Sequence, residues 1–263
     1  MKDVNLLISN GVNVQKGLEI FADMPTYDDS LGDFLGEIDE KLANIATFKN
    51  VGDMANYAIL VHSLKSDAKY FGFEKLAELA YNHETKSKEN DHGYINTNYD
   101  ELIIEANRIV RLVKAYIGEN TSSSEVIVSN DINSKPTILV VDDSDIVRNF
   151  VSKIFASEYA VLVAKDGNEA IKIIESTTEE KIVACLLDLY MPNADGFAVL
   201  RYFKEKDLFH KLPVSIITGN DSKEIDLSVF EYPVVDLLKK PFTEGSVKNI
   251  VERTINFHNH VTN

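Results

Sequence analysis

Apolar residues in the first 118 positions recur at steps of three and four. Leu31, Phe34, Leu35, Ile38, Leu42 and Ile45 form one stripe. Met54, Tyr57, Val61, Leu64, Ala68 and Phe71 form a second, and Tyr99, Leu102, Ala106, Ile109, Val113 and Tyr116 a third. With about 3.6 residues per helical turn, each stripe lies along one face and predicts a helix with that face buried. A shorter helix is expected over Phe73 to Tyr81 and a small one near Val14 to Phe21. Short connections between the long ones predict an antiparallel four-helix bundle over residues 1–118.

The pattern then changes. Short apolar runs at Thr137 to Val141, Tyr159 to Ala164, Ile182 to Leu187, Pro213 to Thr218 and Val234 to Leu238 alternate with helix-patterned stretches. Five such βα units, with strands apolar on both faces, predict a parallel doubly wound sheet over residues 136–263, where ligands sit beyond the carboxyl ends of the strands. Residues 119–135, rich in Ser and Asn, break both patterns and read as a linker. No longer repeat is visible.

Charge narrows the function. Residues 1–118 carry 12 basic and 19 acidic groups and residues 136–263 carry 14 and 20, so neither half is a binder of nucleic acid or of anionic membranes by charge. No apolar run approaches the roughly 18 residues that span a bilayer, and no charged leader precedes one, so a cytoplasmic location is expected. The single cysteine, Cys185, lies within an apolar run and reads as a buried strand residue.

The unusual polar residues lie at strand ends. Asp142 and Asp143 follow the first strand and Asp188 the third. If those strands are neighbours the three carboxylates converge, and their repulsion calls for a hard divalent cation such as Mg²⁺. Thr218 ends the fourth run and Lys240 follows the fifth. An acidic cluster, a hydroxyl and an ammonium are what phosphoryl transfer to a carboxylate requires. Asp145 and Asp195 read as helix caps.

The stretches ILVVDDSDIVR, LLDLYMPNADGF, SIITGND and LKKPF, in that order, resemble the four signature stretches of the response-regulator receiver domain. The resemblance implies a flavodoxin-like (βα)5 fold with strand order 2-1-3-4-5. It implies Asp188 as phosphoacceptor, and Asp142 and Asp143 as organisers of Mg²⁺ with the Tyr190 backbone carbonyl. Thr218 and Lys240 would then contact phosphoryl oxygens. Three residues before the lysine the family usually carries Tyr or Phe, whereas this chain has Leu237, so signalling through Thr218 and the following loop is expected instead. Tyr190 and Asn220 flank the route of an attacking water, and Tyr190 is expected to slow loss of the phosphate.

In the second helical stripe, His62 sits beside the expected buried seam, with Lys65, Ser66 and Lys69 on the same face. Imidazole is a nucleophile toward phosphorus and ammonium groups steady a phosphoryl group, although a surface His between lysines is usually a solvated helix face. The stretch ILVHSLKSDAKYFGFEKLAEL resembles the histidine phosphotransfer (HPt) domain, a four-helix bundle with a His-x-x-Lys-Gly hallmark. That implies His62 as the phosphorylated histidine, Lys65 as its supporting lysine and Phe71-Gly72 as the helix end. Ser66 replaces the usual glycine, adding bulk at the expected docking surface, and Asp67 replaces a small residue. His83 and His92 are expected at a polar helix end and loop, His210 in a connection, and His258 and His260 at a frayed terminus.

Together the resemblances imply a phosphorelay protein with Mg²⁺ as cofactor and a histidine kinase, other receivers or other HPt proteins as partners. Neither half carries a glycine-rich nucleotide site, and no output module follows the final receiver helix, so relay of phosphoryl groups made elsewhere is expected. A flexible 17-residue linker reaches about 20–25 Å, enough for contact between the two halves. Two other readings stay open: a binding module in which only Asp188 is phosphorylated, and a metal-dependent phosphohydrolase. The second lacks a general acid two residues after Asp142, where Ser144 stands, although Asp145 follows Asp143 by two.

Overall fold

A computed structural model of the chain describes residues 2–118, 135–177, 181–219 and 227–261, the side chains of 227 and 258–261 excepted. The chain divides into two compact units, Met1–Glu125 and Val126–Asn263. Of the expected linker only Lys135 falls among the described residues, and Asn220 lies outside them, as do the side chains of His258 and His260.

The first unit holds helices α1 Val4–Ser9, α2 Val14–Phe21, α3 Met24–Val51, α4 Met54–Phe71, α5 Glu74–Lys88 and α6 His92–Ile117. The long helices and α2 lie where the periodicity predicts; α1, at six residues, is too short to print a stripe. Asp23, Asp53 and Asp91 cap α3, α4 and α6, their side chains accepting from the N–H groups of Thr26, Asn56 and Tyr94. Gly52 and Gly72 end α3 and α4 at φ 73° and 72°, the left-handed conformation glycine adopts freely. The next helix begins within two residues of each, so α3, α4 and α5 run antiparallel. Packing of α3 on α4, α4 on α5, α5 on α6 and α6 on α3 closes the bundle.

Gly72 also lets α2 dock. The Asn13 N–H donates to the Gly72 carbonyl at 2.9 Å, and a Cβ on Gly72 would lie 2.2 Å from the Asn13 carbonyl oxygen. Phe21, Tyr27, Phe34, Phe71 and Phe73 fill this end, with ring centroids 5.4 to 6.0 Å apart.

The second unit alternates β1 Thr137–Val141, α7 Asp145–Phe155, β2 Ala160–Ala164, α8 Gly167–Ser176, β3 Ile182–Asp188, α9 Gly196–Glu205, β4 Val214–Thr218, β5 Leu237–Lys239 and α10 Glu244–Val261. The sheet is parallel with order β2-β1-β3-β4-β5, as the resemblance implied. Strands β1 and β4 are buried throughout, whereas the edge strands β2 and β5 are only partly covered. Between β4 and β5 the described residues include a 3-10 turn, Leu227–Glu231, while residues 220–226 of the expected helical stretch lie outside the described residues. Cys185 is fully buried in β3, and burial pushes its thiol up to about 12.

Candidate functional site

Strand register brings the predicted receiver residues together. Val141 pairs with Leu187, which sets the next residues, Asp142 and Asp188, side by side. Asp188 pairs with Ile217 and Thr218 with Lys239, so Thr218 and Lys240 each lie one step further along the same edge. Backbone bonds from the Asp142 N–H to the Ala164 carbonyl (3.0 Å) and from the Lys240 N–H to the Thr218 carbonyl (2.7 Å) extend the pairing past the strand ends.

Carboxylate oxygens of Asp142, Asp143 and Asp188 all lie within 4.8 Å of one another. Asp142 and Asp188 are buried, Asp143 partly so, and Thr218 and Lys240 are buried beside them. The Lys240 ammonium stands 2.6 Å from Asp142 Oδ2 and 2.5 Å from Asp188 Oδ2. The other oxygens accept backbone hydrogens, Asp142 Oδ1 from Ser144 and Asp188 Oδ1 from Tyr190, both at 3.1 Å. Burial pushes the Asp142 carboxyl up to about 7; Lys240 opposes that rise, while Asp188 and Asp143 add to it. One ammonium does not balance three carboxylates, and an all-oxygen donor set with two buried members fits a hard divalent cation.

Of the two expected caps near this site, one holds and one needs adjusting. Asp195 caps α9, accepting from the Ala198 N–H at 2.8 Å, but Asp145 is the first residue inside α7, and Ser144 holds the cap position. Asp145 is instead paired with Arg148, whose guanidinium also donates to the Asp142 carbonyl. Arg148 was missed from sequence; its signal is its place one turn after Ser144, with a carboxylate three residues before it.

In the first unit, His62 is buried at 4% exposure and does not lie beside the seam. Lys65, Ser66 and Asp67 are buried too, and Lys69 partly. The reason is that α4 is flanked by α2, α3 and α5, and charges on neighbouring helices compensate its own. Glu84 of α5 accepts from His62 Nδ1 at 2.8 Å and pairs with Lys65 at 2.7 Å and Lys88 at 2.6 Å. Burial works to raise the Glu84 carboxyl, but the hydrogen bond and charge of His62 and the charge of Lys65 outweigh it and hold Glu84 well below the usual carboxylate range. An ionised carboxylate only accepts, so Nδ1 supplies the ring hydrogen to Glu84, and when the ring is neutral its lone pair lies on Nε2. Asp67 pairs with Lys41 of α3, which also reaches Glu37 at 3.2 Å. Ser66, being buried, adds no bulk to an open surface.

His83 corrects another expectation. Helix α5 runs on to Lys88, and His83 is fully buried within it, bonded to the Tyr57 hydroxyl at 2.7 Å and the Asn98 carbonyl at 3.3 Å. The signal was present: His83, Glu84 and Ser87 continue the stripe of Leu76, Ala77 and Ala80 at helical spacing. His92, the first residue of α6, is exposed.

Among the described residues no helix is long and apolar enough to cross a membrane. Residues 138–252 match the model of the response regulator receiver domain, and residues 29–109 match that of the Hpt domain. Hybrid signal transduction histidine kinase D of Dictyostelium discoideum is 27% identical over 126 residues, 48% of this chain and 8% of that one. Response regulator RR06 of Streptococcus pneumoniae is 33% identical over 107 residues, 40% of this chain and 46% of that one. The chain thus spans less than half the length of either curated relative. The receiver domain of Francisella response regulator 1452 is 26% identical, covers 46% of this chain and 98% of its own, and has a TM-score of 0.41. The chain joins an Hpt domain to a response regulator receiver domain.

Proposed function

We propose that the protein works in phosphorelay signal transduction, with Asp188 and His62 as its two phosphate carriers. The observation that carries this reading is the convergence of Asp142, Asp143 and Asp188 within 4.8 Å, with Lys240 between two of them. Asp188 accepts a phosphoryl group from a phosphohistidine. A carboxylate oxygen attacks phosphorus, the P–O bond forms as the P–N bond breaks, and the electron pair returns to the imidazole nitrogen. Lys240 follows the negative charge onto a phosphoryl oxygen, and the Thr218 hydroxyl binds another. Asp142, Asp143, Asp188 and the Tyr190 carbonyl would hold Mg²⁺. When bound, that ion neutralises the carboxylates and the transferred group.

His62 carries phosphate to or from a receiver aspartate, its own or a partner's, through Nε2. Lys65 and Lys88 both stand against the Glu84 carboxylate that holds His62, which keeps two ammonium groups close to the ring for a phosphoryl group. A histidine kinase and other receiver or Hpt proteins are the partners, and the cytoplasm is the compartment.

The test is to treat wild type, His62→Gln and Asp188→Asn with a small phosphodonor and Mg²⁺ and map acid-labile and alkali-labile phosphate. Label on Asp188 and His62, with the His62 label lost in Asp188→Asn, supports relay between the two carriers. The burial of His62 favours a second reading, a switched binding module. Label on Asp188 but never on His62, even with a phosphorylated partner receiver, selects it.

A further inference from the structure

The turn between β2 and α8 touches both loops that carry the acidic cluster. On one side the Ala164 carbonyl accepts from the Asp142 N–H. On the other, Asp166 Oδ2 accepts from Asn193 Nδ2 at 3.2 Å, and the Gly167 N–H donates to the Ala194 carbonyl at 2.9 Å. Asp166 is 8% exposed, and its second oxygen caps α8 by accepting from the Glu169 N–H at 2.9 Å. One carboxylate therefore holds its own helix with Oδ1 and the neighbouring loop with Oδ2.

That loop is pinned at its far end as well. The Gly196 N–H donates to the Leu189 carbonyl at 3.1 Å, and a Cβ on Gly196 would lie 2.2 Å from the Asp188 carbonyl oxygen. Gly167 is equally confined, its hypothetical Cβ lying 2.9 Å from the Ala194 carbonyl oxygen and 3.0 Å from that of Asp195. Asn193 adopts φ 68°, a left-handed conformation that asparagine tolerates. Between the two pins lies Tyr190, whose N–H holds Asp188 Oδ1.

We propose that Asp166 and Asn193 form a positioning pair for the acidic pocket, bridging the start of α8 to the loop after Asp188. Their bond sets the path of that loop and hence the aim of the Asp188 carboxylate and the Tyr190 backbone, although neither residue reaches the cluster itself. Outer contacts of this kind tune how well a site grips its ion. The inference rests on the reading of Asp142, Asp143 and Asp188 as a Mg²⁺ site.

The experiment is calorimetric titration of the full chain with Mg²⁺, in a double-mutant cycle. Asn193→Gly deletes the amide and relaxes φ; Asp166→Ser keeps an oxygen to cap α8 but loses the bridge. Each single variant is expected to weaken Mg²⁺ binding about tenfold, the low end for outer contacts, and the double variant no more than the weaker-binding single. The melting midpoint of the Mg²⁺-free protein should stay within about 3 °C of wild type. Asp166→Asn combined with Asn193→Asp exchanges amide and carboxylate, keeps the bond and should hold wild-type affinity within about twofold. Unchanged affinity in the single variants, fold-losses that multiply in the double variant, or failure of the exchanged pair would overturn the proposal. Asp142→Asn separates it from the reading beneath it. If wild type binds no Mg²⁺ that this change removes, both fall; if it does and the cycle is flat, only the positioning role falls.

Discussion

The His62 imidazole and the Glu84 carboxylate meet at 2.8 Å, although 22 residues separate them along the chain. Their bond puts a ring hydrogen on Nδ1, which leaves Nε2 as the nitrogen for the phosphate-carrying role proposed for His62. Glu84→Gln can donate as well as accept, which removes the preference for that tautomer. Phosphoryl transfer onto His62 from a phosphorylated receiver should slow about tenfold or more, and ¹⁵N spectra of the ring should report a changed tautomer mixture.

Glu84 also links stability to pH. Its folded value lies below the ordinary one, so its stabilisation is present above the unfolded value of about 4.3 and is lost as pH falls through the folded value. Glu84→Gln should be less stable than wild type at pH 7 by about 3 kcal/mol, because buried Lys65 loses the Glu84 charge. Urea unfolding should show the gap narrowing as pH drops below about 4.

His83 supplies a linkage at higher pH. Burial holds its imidazole below the usual value, and both ring nitrogens are used by the neutral form, one facing the Tyr57 hydroxyl and the other the Asn98 carbonyl. The unfolded chain takes up a proton at about pH 6.5 before the folded one does, so stability should fall as pH drops below that point. Denaturant midpoints from pH 7.5 to 5 should slope less in His83→Gln than in wild type.

Asp142 works in the opposite sense. Its folded value, about 7, lies above the unfolded one, so its contribution is fully present below about pH 3.9 and lost as pH rises through 7. In Mg²⁺-free buffer at pH 8, Asp142→Asn should be more stable than wild type, on the order of 3 kcal/mol. Added Mg²⁺ should raise the melting midpoint of wild type and leave that of Asp142→Asn unmoved.

Lys41 and Asp67 bind α3 to α4 from buried positions, with side-chain exposures of 8% and 1%. Lys41→Met leaves Asp67 buried without that partner and should cost about 3 kcal/mol. Lys41→Met combined with Asp67→Leu should recover most of the loss in urea unfolding, since an apolar pair replaces the charges together.

The receiver pocket is legible in the sequence because its residues stand at strand ends. In a parallel sheet, strand ends are brought to one edge by topology alone, so Asp142, Asp188, Thr218 and Lys240 converge once β1 and β3 are neighbours. In the bundle the helices themselves were legible. Stripes such as Met54 to Phe71 mark helices, and Gly72 with its left-handed φ marks where one stops.

The periodicity of this chain determined by itself where most of its helices and strands lie, and the order of polar residues at strand ends named the acidic cluster. Only the tertiary structure decided that His62 is buried, that Glu84 orients it, that His83 lies in the core and that Asp166 reaches Asn193. Helical and strand patterns record how a residue meets its own element's apolar face. They hold no record of a charge supplied by another helix, and burial of a polar group is permitted only by such a distant partner.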